Sequence, residues 1–204
     1  MKMDILKKII LDGQIPYFRI IKKGLFVLAI LIPFFIFLSP MSQKDFANIG
    51  WIVLICVMSV RPVSQIFPDF GVFRALYMLR REFGIFAGLM IFSHFIGYLL
   101  LAHVSIFSIF TKSVYWNVNG YFFWGIVGLL FMIPVFITSN KTAMLFLKKY
   151  WRYIQKLAYL FLLFGGIHII LVGKDIGLTG LIIVAVLWIL AAMKVKIKFL
   201  NRGV

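Results

Sequence analysis

The chain has 204 residues, of which 63% are hydrophobic and 14% are charged, and its mean hydropathy is +1.05. Soluble domains have about 45–50% apolar and about 25% charged residues, so this composition all but excludes a soluble domain. An aromatic content of 18% excludes an intrinsically disordered chain. The formal net charge of +16 would suggest a nucleic-acid partner on a soluble protein, whereas on a membrane protein it indicates cytoplasmic loops.

Six apolar segments follow one another along the chain, and each is predicted to form a transmembrane helix. They are residues 24–40, 47–60, 83–105, 120–138, 153–173 and 176–193. The segment 47–60 is short for a span, but the charges of the loops alternate properly only if it crosses. The predicted fold is an all-α integral membrane protein, a bundle of six transmembrane helices. This domain, 24–193, is flanked by a basic N-terminal segment, 1–23, and a basic tail, 194–204.

Lys and Arg are distributed very unevenly between alternate loops. Of the 22, all but three lie in the N-terminal segment, the second and fourth loops and the tail, and the exceptions are Lys44, Lys112 and Lys174. Cytoplasmic loops are enriched in Lys and Arg, so both termini of a multi-pass membrane protein are predicted to be cytoplasmic. The charge is then an orientation signal and a surface for anionic lipid or an acidic flavoprotein, and gives no reason to expect nucleic acid.

Histidines are the ionisable side chains of interest, because no Asp, Glu, Lys or Arg stands in the middle of a predicted span. That pattern argues against proton-coupled or ion-coupled transport. His94 lies about 20 Å from the inner edge of the third span, and His168 lies about 18–24 Å from that of the fifth. These spans run in the same direction, so the two imidazoles lie at matching depth, as the axial ligands of one haem must. Two alternatives stay open at this point: a hydrogen-bonded pair that joins two helices, and a substrate or proton pathway.

Glycines three residues from each histidine share its helix face. Gly97 follows His94, and Gly165 precedes His168. We expect both glycines to leave room for a flat porphyrin, while close helix packing is the alternative role. His103 lies nine residues after His94, on the opposite helix face near the outer interface. It cannot bind the same iron and is a candidate contact for a haem propionate.

Several short motifs resemble the ferric reductase-like transmembrane domain superfamily. They are Arg80-Arg81-Glu82-Phe83-Gly84-Ile85 followed by His94 and Tyr98, Thr138-Ser139-Asn140, and the run from Trp151 to Leu160 followed by His168. Within the superfamily, the length, the six spans and the Lys174-Asp175-Ile176 turn most resemble MsrQ (YedZ). That family comprises the haem-b membrane subunits of the MsrPQ methionine-sulfoxide reductase system. The resemblance covers roughly residues 47–193, and it implies a protein of the bacterial inner membrane.

The resemblance implies an electron-transfer subunit of an oxidoreductase system rather than a self-contained enzyme. It implies one haem b, with its iron bound by His94 and His168. The acceptor is then a periplasmic molybdopterin reductase. The donor is a cytoplasmic flavin reductase or a quinol, since the chain has no GxGxxG motif. FMN or FAD has no support in the sequence.

One position departs from the family pattern and limits the number of haems. The family has a histidine where this chain has Gln155, near the cytoplasmic edge of the fifth span, so no second, inner haem is expected. Two alternatives to the main hypothesis are kept. The first is a ferric or cupric surface reductase with the same haem, and the second is a haem-free permease or structural membrane protein.

Overall fold

A computed structural model describes residues 8–31, 38–39 and 42–197, and this part of the chain is helical. In chain order the helices are α1 (Phe18–Leu31), α2 (Gln43–Ile66), α3 (Gly71–Met78), α4 (Arg80–Leu101), α5 (Ile106–Thr111), α6 (Tyr121–Ile137), α7 (Lys141–Leu147), α8 (Lys149–Leu171) and α9 (Ile176–Ala192), with a 3₁₀ turn at Ser113–Tyr115 between α5 and α6. The described residues contain no strand, so the all-α prediction is confirmed.

Three helices, α2, α4 and α8, are long and apolar enough to cross a membrane. The pair of α6 and α7 adds a fourth candidate if it counts as one span, although it is bent by 91°. Helix α9 is apolar, but with 17 residues it is shorter than the three candidate spans. Most of the remainder of the first predicted span, residues 32–37 and 40, lies outside the described residues. The structure thus contains three or four candidate spans, and the six-span bundle stays a prediction.

Helix α2 is considerably longer than the apolar segment from which it was predicted. The sequence indicated residues 47–60, whereas the helix runs from Gln43 to Ile66, 24 residues in all. At about 1.5 Å per residue this is about 36 Å, enough for a core of about 30 Å. The apolar window marks only the middle of the helix. Polar residues extend it at both ends. The negative charge of Asp45, in the first turn, interacts favourably with the positive end of the helix dipole.

The helices pack mainly as two antiparallel pairs, α2 with α4 and α6 with α8. Helix α9 packs against both α2 and α8, α1 packs against α4, and the direct contact between α4 and α6 is slight. The shared core contains Trp51, Leu54, Met58, Ala87, Met132, Phe161, Leu162 and Val184. Large apolar side chains such as Ile189 and Leu178 are exposed on the outward face of α9. A helix that is apolar on all sides is typical of a membrane environment.

Close packing brings the start of α9 against its neighbours. A Cβ on Gly177 would lie 2.8 Å from the carbonyl oxygen of Gly166, so α9 approaches α8 at a distance that only glycine allows. The indole Nε1 of Trp51 donates a hydrogen bond of 3.0 Å to the carbonyl of Ile176, which attaches α2 to the same point. Together these contacts hold the turn between α8 and α9 beside the first turns of α2.

A buried carboxylate attaches α1 to α4 at the other end of the bundle. The side chain of Glu82, in the first turn of α4, is 1% exposed. Its Oε1 lies 3.4 Å from Lys22 Nζ on α1 and 3.3 Å from Arg81 Nε. Lys22 and Arg81 are almost half exposed, so only the carboxylate end of this contact between α1 and α4 is buried.

Candidate haem site

A cavity of about 570 Å³ lies between the two helix pairs. It sits at the end of the bundle where α2, α6 and α9 begin and where α4 and α8 finish. Its volume lies within the range of about 300–1,000 Å³ that small-molecule and cofactor sites occupy. Its inner part is lined by large apolar side chains, including Trp51, Ile91, Leu129 and Phe161.

His94 and His168 both line this cavity, from α4 and α8 respectively. Their ring centroids are 6.4 Å apart, and the ring planes are inclined at 59°. The two residues, which are separated by more than seventy positions in the chain, are therefore neighbours across the cavity. Both side chains are only partly exposed.

The tautomer of each imidazole follows from its hydrogen bond. His94 Nδ1 lies 3.1 Å from the carbonyl oxygen of Gln43, and His168 Nδ1 lies 2.8 Å from that of Tyr121. A carbonyl oxygen only accepts, so Nδ1 carries the proton and donates in both rings. In a neutral imidazole this leaves the lone pair on Nε2 free to bind a metal. Metal-binding histidines almost always donate their other N–H in this way, which fixes the ring orientation.

The separation of the two rings fits a pair of axial ligands on one iron. With metal–nitrogen bonds of about 2 Å and about 1.1 Å from each nitrogen to its ring centre, two coaxial imidazoles on one metal would have centroids about 6.2 Å apart. The observed separation is 6.4 Å. The angle between the planes does not exclude this arrangement, because two rings whose metal bonds share one axis can have any angle between their planes.

Two imidazoles could supply two ligands of an iron, and a porphyrin would supply the remaining ones. Among the residues that the structure describes, no three His, Cys, Asp or Glu side chains come together as a metal site. The imidazole pair, the free Nε2 atoms and the size of the cavity all fit a haem.

The glycines of the site only partly match those singled out in the sequence. Gly165 lines the cavity, where an added Cβ would lie 3.4 Å from the Trp51 ring. Gly97 is buried one turn from His94 and does not itself line the cavity. Among the described glycines, the closest approach to either histidine ring is that of Gly125 of α6, which the sequence analysis missed. A Cβ there would lie 2.8 Å from His168 Nδ1.

The other two candidate residues lie apart from the histidine pair. His103 is exposed in the turn after α4, with a backbone φ of 50°, and does not line the cavity. Gln155 lies on α8 facing the end of α6, where its Nε2 donates to the carbonyl of Val135 at 3.2 Å and to Thr138 Oγ1 at 3.0 Å. Gln155 therefore forms a hydrogen-bonded contact between two helices.

Polar side chains form one end of the cavity, and the sequence analysis missed most of them. They are Gln43, Lys44 and Asn48 of α2, Tyr98, Tyr115 and Tyr121, and Lys174 in the turn before α9. The hydroxyls of Tyr98 and Tyr115 are hydrogen-bonded at 3.0 Å. One signal was available in the sequence: Lys44 and Lys174 are two of the three lysines that the charge pattern left on the outer side.

Comparison with known proteins gives one relevant similarity. No family model matches the chain, and no solved structure matches it. The chain is 30% identical over 115 residues to the "Protein-methionine-sulfoxide reductase heme-binding subunit MsrQ" of Agrobacterium fabrum (strain C58 / ATCC 33970). That alignment covers 56% of this chain and 53% of the relative, so the chain spans about half the length of the curated relative it matches. The similarity supports the resemblance to MsrQ.

Proposed function

We propose that this chain is a membrane haem-b electron-transfer subunit in which His94 and His168 are the axial ligands of one haem. The observation that carries the proposal is the pair of imidazoles across one cavity, with ring centroids 6.4 Å apart. Each ring donates its Nδ1–H to a backbone carbonyl, which leaves both Nε2 atoms free. A relative that is named as a heme-binding subunit supports the same reading.

The residues around the cavity determine what such a site can do. Two histidine ligands would complete the coordination of the iron, which favours electron transfer over oxygen activation. A bound haem b supplies reversible one-electron transfer. Gln43 and Tyr121 hold the two rings through their carbonyl groups. The apolar side chains Trp51, Leu129 and Phe161 keep water from the inner part of the site.

The position of the cavity supports a direction for the electrons. It lies at the end of the bundle that is poor in Lys and Arg, which the positive-inside rule places outside. The acceptor is then a periplasmic protein, and by analogy with MsrQ it is a molybdopterin methionine-sulfoxide reductase. The donor acts at the basic inner face and is a flavin reductase or a quinol.

A difference spectrum tests the haem. The full chain, produced with adequate haem and purified in detergent, is expected to show b-type bands in a dithionite-reduced minus oxidised spectrum. The absence of these bands would refute the proposal and favour a haem-free permease or structural protein.

Substitution of the histidines tests the ligands. His94→Ala and His168→Ala are each expected to abolish the low-spin haem spectrum, because each removes one axial nitrogen. His103→Ala is the matched control and should keep the spectrum, since His103 lies outside the cavity. Loss of haem in the His103 variant alone would overturn the assignment.

The acceptor is tested separately from the haem. The reduced subunit should be reoxidised rapidly by a periplasmic molybdopterin reductase in the presence of methionine sulfoxide. Faster reoxidation by ferric or cupric chelates would instead assign the same haem to a surface metal reductase.

A further inference from the structure

Two lysines that are distant in the sequence meet at the rim of the cavity. Lys44 lies in the first turn of α2, and Lys174 lies in the turn between α8 and α9. Both line the cavity together with the two histidines. Lys112, the third lysine predicted on this side, is exposed before the 3₁₀ turn and does not line it. Two of the three positive charges at this end therefore converge on one cavity.

The charges of these two lysines are not neutralised by the protein. Within the described part of the chain, neither ammonium group forms an ion pair. Lys174 Nζ donates a hydrogen bond of 3.0 Å to Asn48 Oδ1, and an ammonium group has three donors. The carboxylates adjacent in sequence, Asp45 and Asp175, are exposed. Because Lys174 is half-buried, an anion in the cavity would offset the cost of desolvating it.

A buried amide beside the lysines also needs a partner. Gln43 is 8% exposed, and its Oε1 is buried with no hydrogen-bond partner among the described residues. Buried polar groups are nearly always hydrogen-bonded. The amide can donate through its NH₂ group or accept through its oxygen, and a 180° rotation exchanges the two. After this rotation, the NH₂ group would take the place of Oε1 and could donate to a carboxylate in the cavity.

The cavity changes from polar to apolar along its depth. On α2, Lys44, Asn48 and Trp51 follow at spacings of four and three residues, so they share one face and run from the rim inward. On α8 the corresponding inner residue is Phe161, two turns below His168. A complementary ligand has a flat apolar body at and below the histidines and anionic groups at the rim. Haem b, with two propionates on one edge of the porphyrin, meets this description.

We propose that Lys44 and Lys174 bind the two propionates of haem b, with Gln43 and Asn48 as hydrogen-bonding partners. This inference rests on the proposed function, because it requires a haem in the cavity. The sequence analysis suggested His103 as the contact for a propionate. His103 is exposed beyond the end of α4, and the proposal replaces it with the two lysines.

The test compares haem b with its dimethyl ester, in which both carboxylates are neutral. The full chain, produced without haem, is titrated with each form, and binding is followed by the low-spin absorption spectrum. We expect each lysine to contribute about tenfold, equivalent to 1.4 kcal/mol, so the wild type should prefer haem b about a hundredfold. The double variant Lys44→Gln/Lys174→Gln should lose this preference, and Lys112→Gln should retain it.

The outcomes separate this inference from the proposed function. Equal binding of both forms by the wild type, with low-spin spectra, overturns the propionate contact and leaves the haem function standing. Binding of neither form overturns both. Retention of the full preference in the double variant overturns the role of the lysines. Lys44→Arg/Lys174→Arg keeps both charges and should keep most of the preference, which distinguishes loss of charge from misfolding.

Discussion

Gly125 controls how closely α6 approaches the ring of His168, one of the two proposed haem ligands. A Cβ at this position would lie 2.8 Å from His168 Nδ1 and 3.1 Å from Cε1. Nδ1 is also the atom that donates to the carbonyl of Tyr121. We therefore expect Gly125→Ala to displace the ring and weaken this hydrogen bond. Loss of such supporting contacts typically costs about 10–100-fold in metal affinity, and the haem-to-protein ratio after purification measures it.

A glycine elsewhere in the bundle provides the control for this prediction. At Gly84 on α4 an added Cβ meets no atom within 4 Å. Gly84→Ala is expected to keep the full haem content. Equal losses in the two variants would show a general effect of alanine in these helices and would rule out a specific contact with His168.

At the residue scale, the two histidines of the site could be identified from the sequence. The backbone carbonyls that accept hydrogen bonds from their rings could not. The depths of His94 and His168 could be calculated from the helical rise per residue, because the number of residues from a charged edge of each span is known. The acceptors at Gln43 and Tyr121 are backbone carbonyls, which every residue possesses, so no side-chain pattern marks them. Gly125 matters only because α8 lies against it, and that contact is not encoded locally.

Gln155, near the start of α8, joins this helix to the end of α6 through hydrogen bonds. Its Nε2 donates to the carbonyl of Val135 and to Thr138 Oγ1, just beyond Pro134, which interrupts the hydrogen bonding of α6. Interhelical hydrogen bonds of membrane proteins contribute about 0.6 kcal/mol on average and up to about 1.7. Gln155→Ala should lower the free energy of unfolding by about this amount, measured in detergent, and should leave the haem spectrum unchanged.

A double-mutant cycle isolates the contact between these helices. Thr138→Val removes the hydroxyl that accepts from Gln155 Nε2 at 3.0 Å. If the contact is formed, the double variant loses less stability than the two single variants together, because both remove the same interaction. Simple additivity would mean that Gln155 acts on Val135 alone.

At the element scale, the ends of α6 and α9 were predicted to within one residue, whereas those of α2 were not. The fourth predicted span was expected to finish at residue 138, and α6 ends at Ile137, where the hydroxyls of Thr138 and Ser139 donate to carbonyls of its last turn. The Oδ1 of Asn140 then accepts from Ala143 N and starts α7. The ends of α2 carry no such signal, because hydropathy reports only its apolar middle.

The distribution of charge predicts the orientation of the whole molecule. In a variant with Cys56→Ser, a membrane-impermeant maleimide added to intact spheroplasts should label Lys112→Cys. Lys149→Cys should react only after the membrane is permeabilised. The reason is that 22 Lys and Arg include only three on the loops assigned to the outside.

The reverse labelling pattern would show that the bundle has the opposite orientation, with the cavity on the cytoplasmic side. Labelling of both cysteines in intact spheroplasts would contradict the assignment of these two loops to opposite sides of the membrane. At this scale composition and charge were sufficient to predict a helical membrane protein. They could not predict the pairing of helices, because lipid-facing and protein-facing side chains are equally apolar.

The two helix pairs have a consequence for the order of biosynthesis. Each histidine is oriented from within its own pair: His94 on α4 by α2, and His168 on α8 by α6. The pairs are consecutive in the chain, so translation completes the first, with His94 and its acceptor Gln43, before the second leaves the ribosome. The two histidines can face one another only once both pairs are present. With these histidines as the proposed ligands, a haem would enter last and would link the two helix pairs.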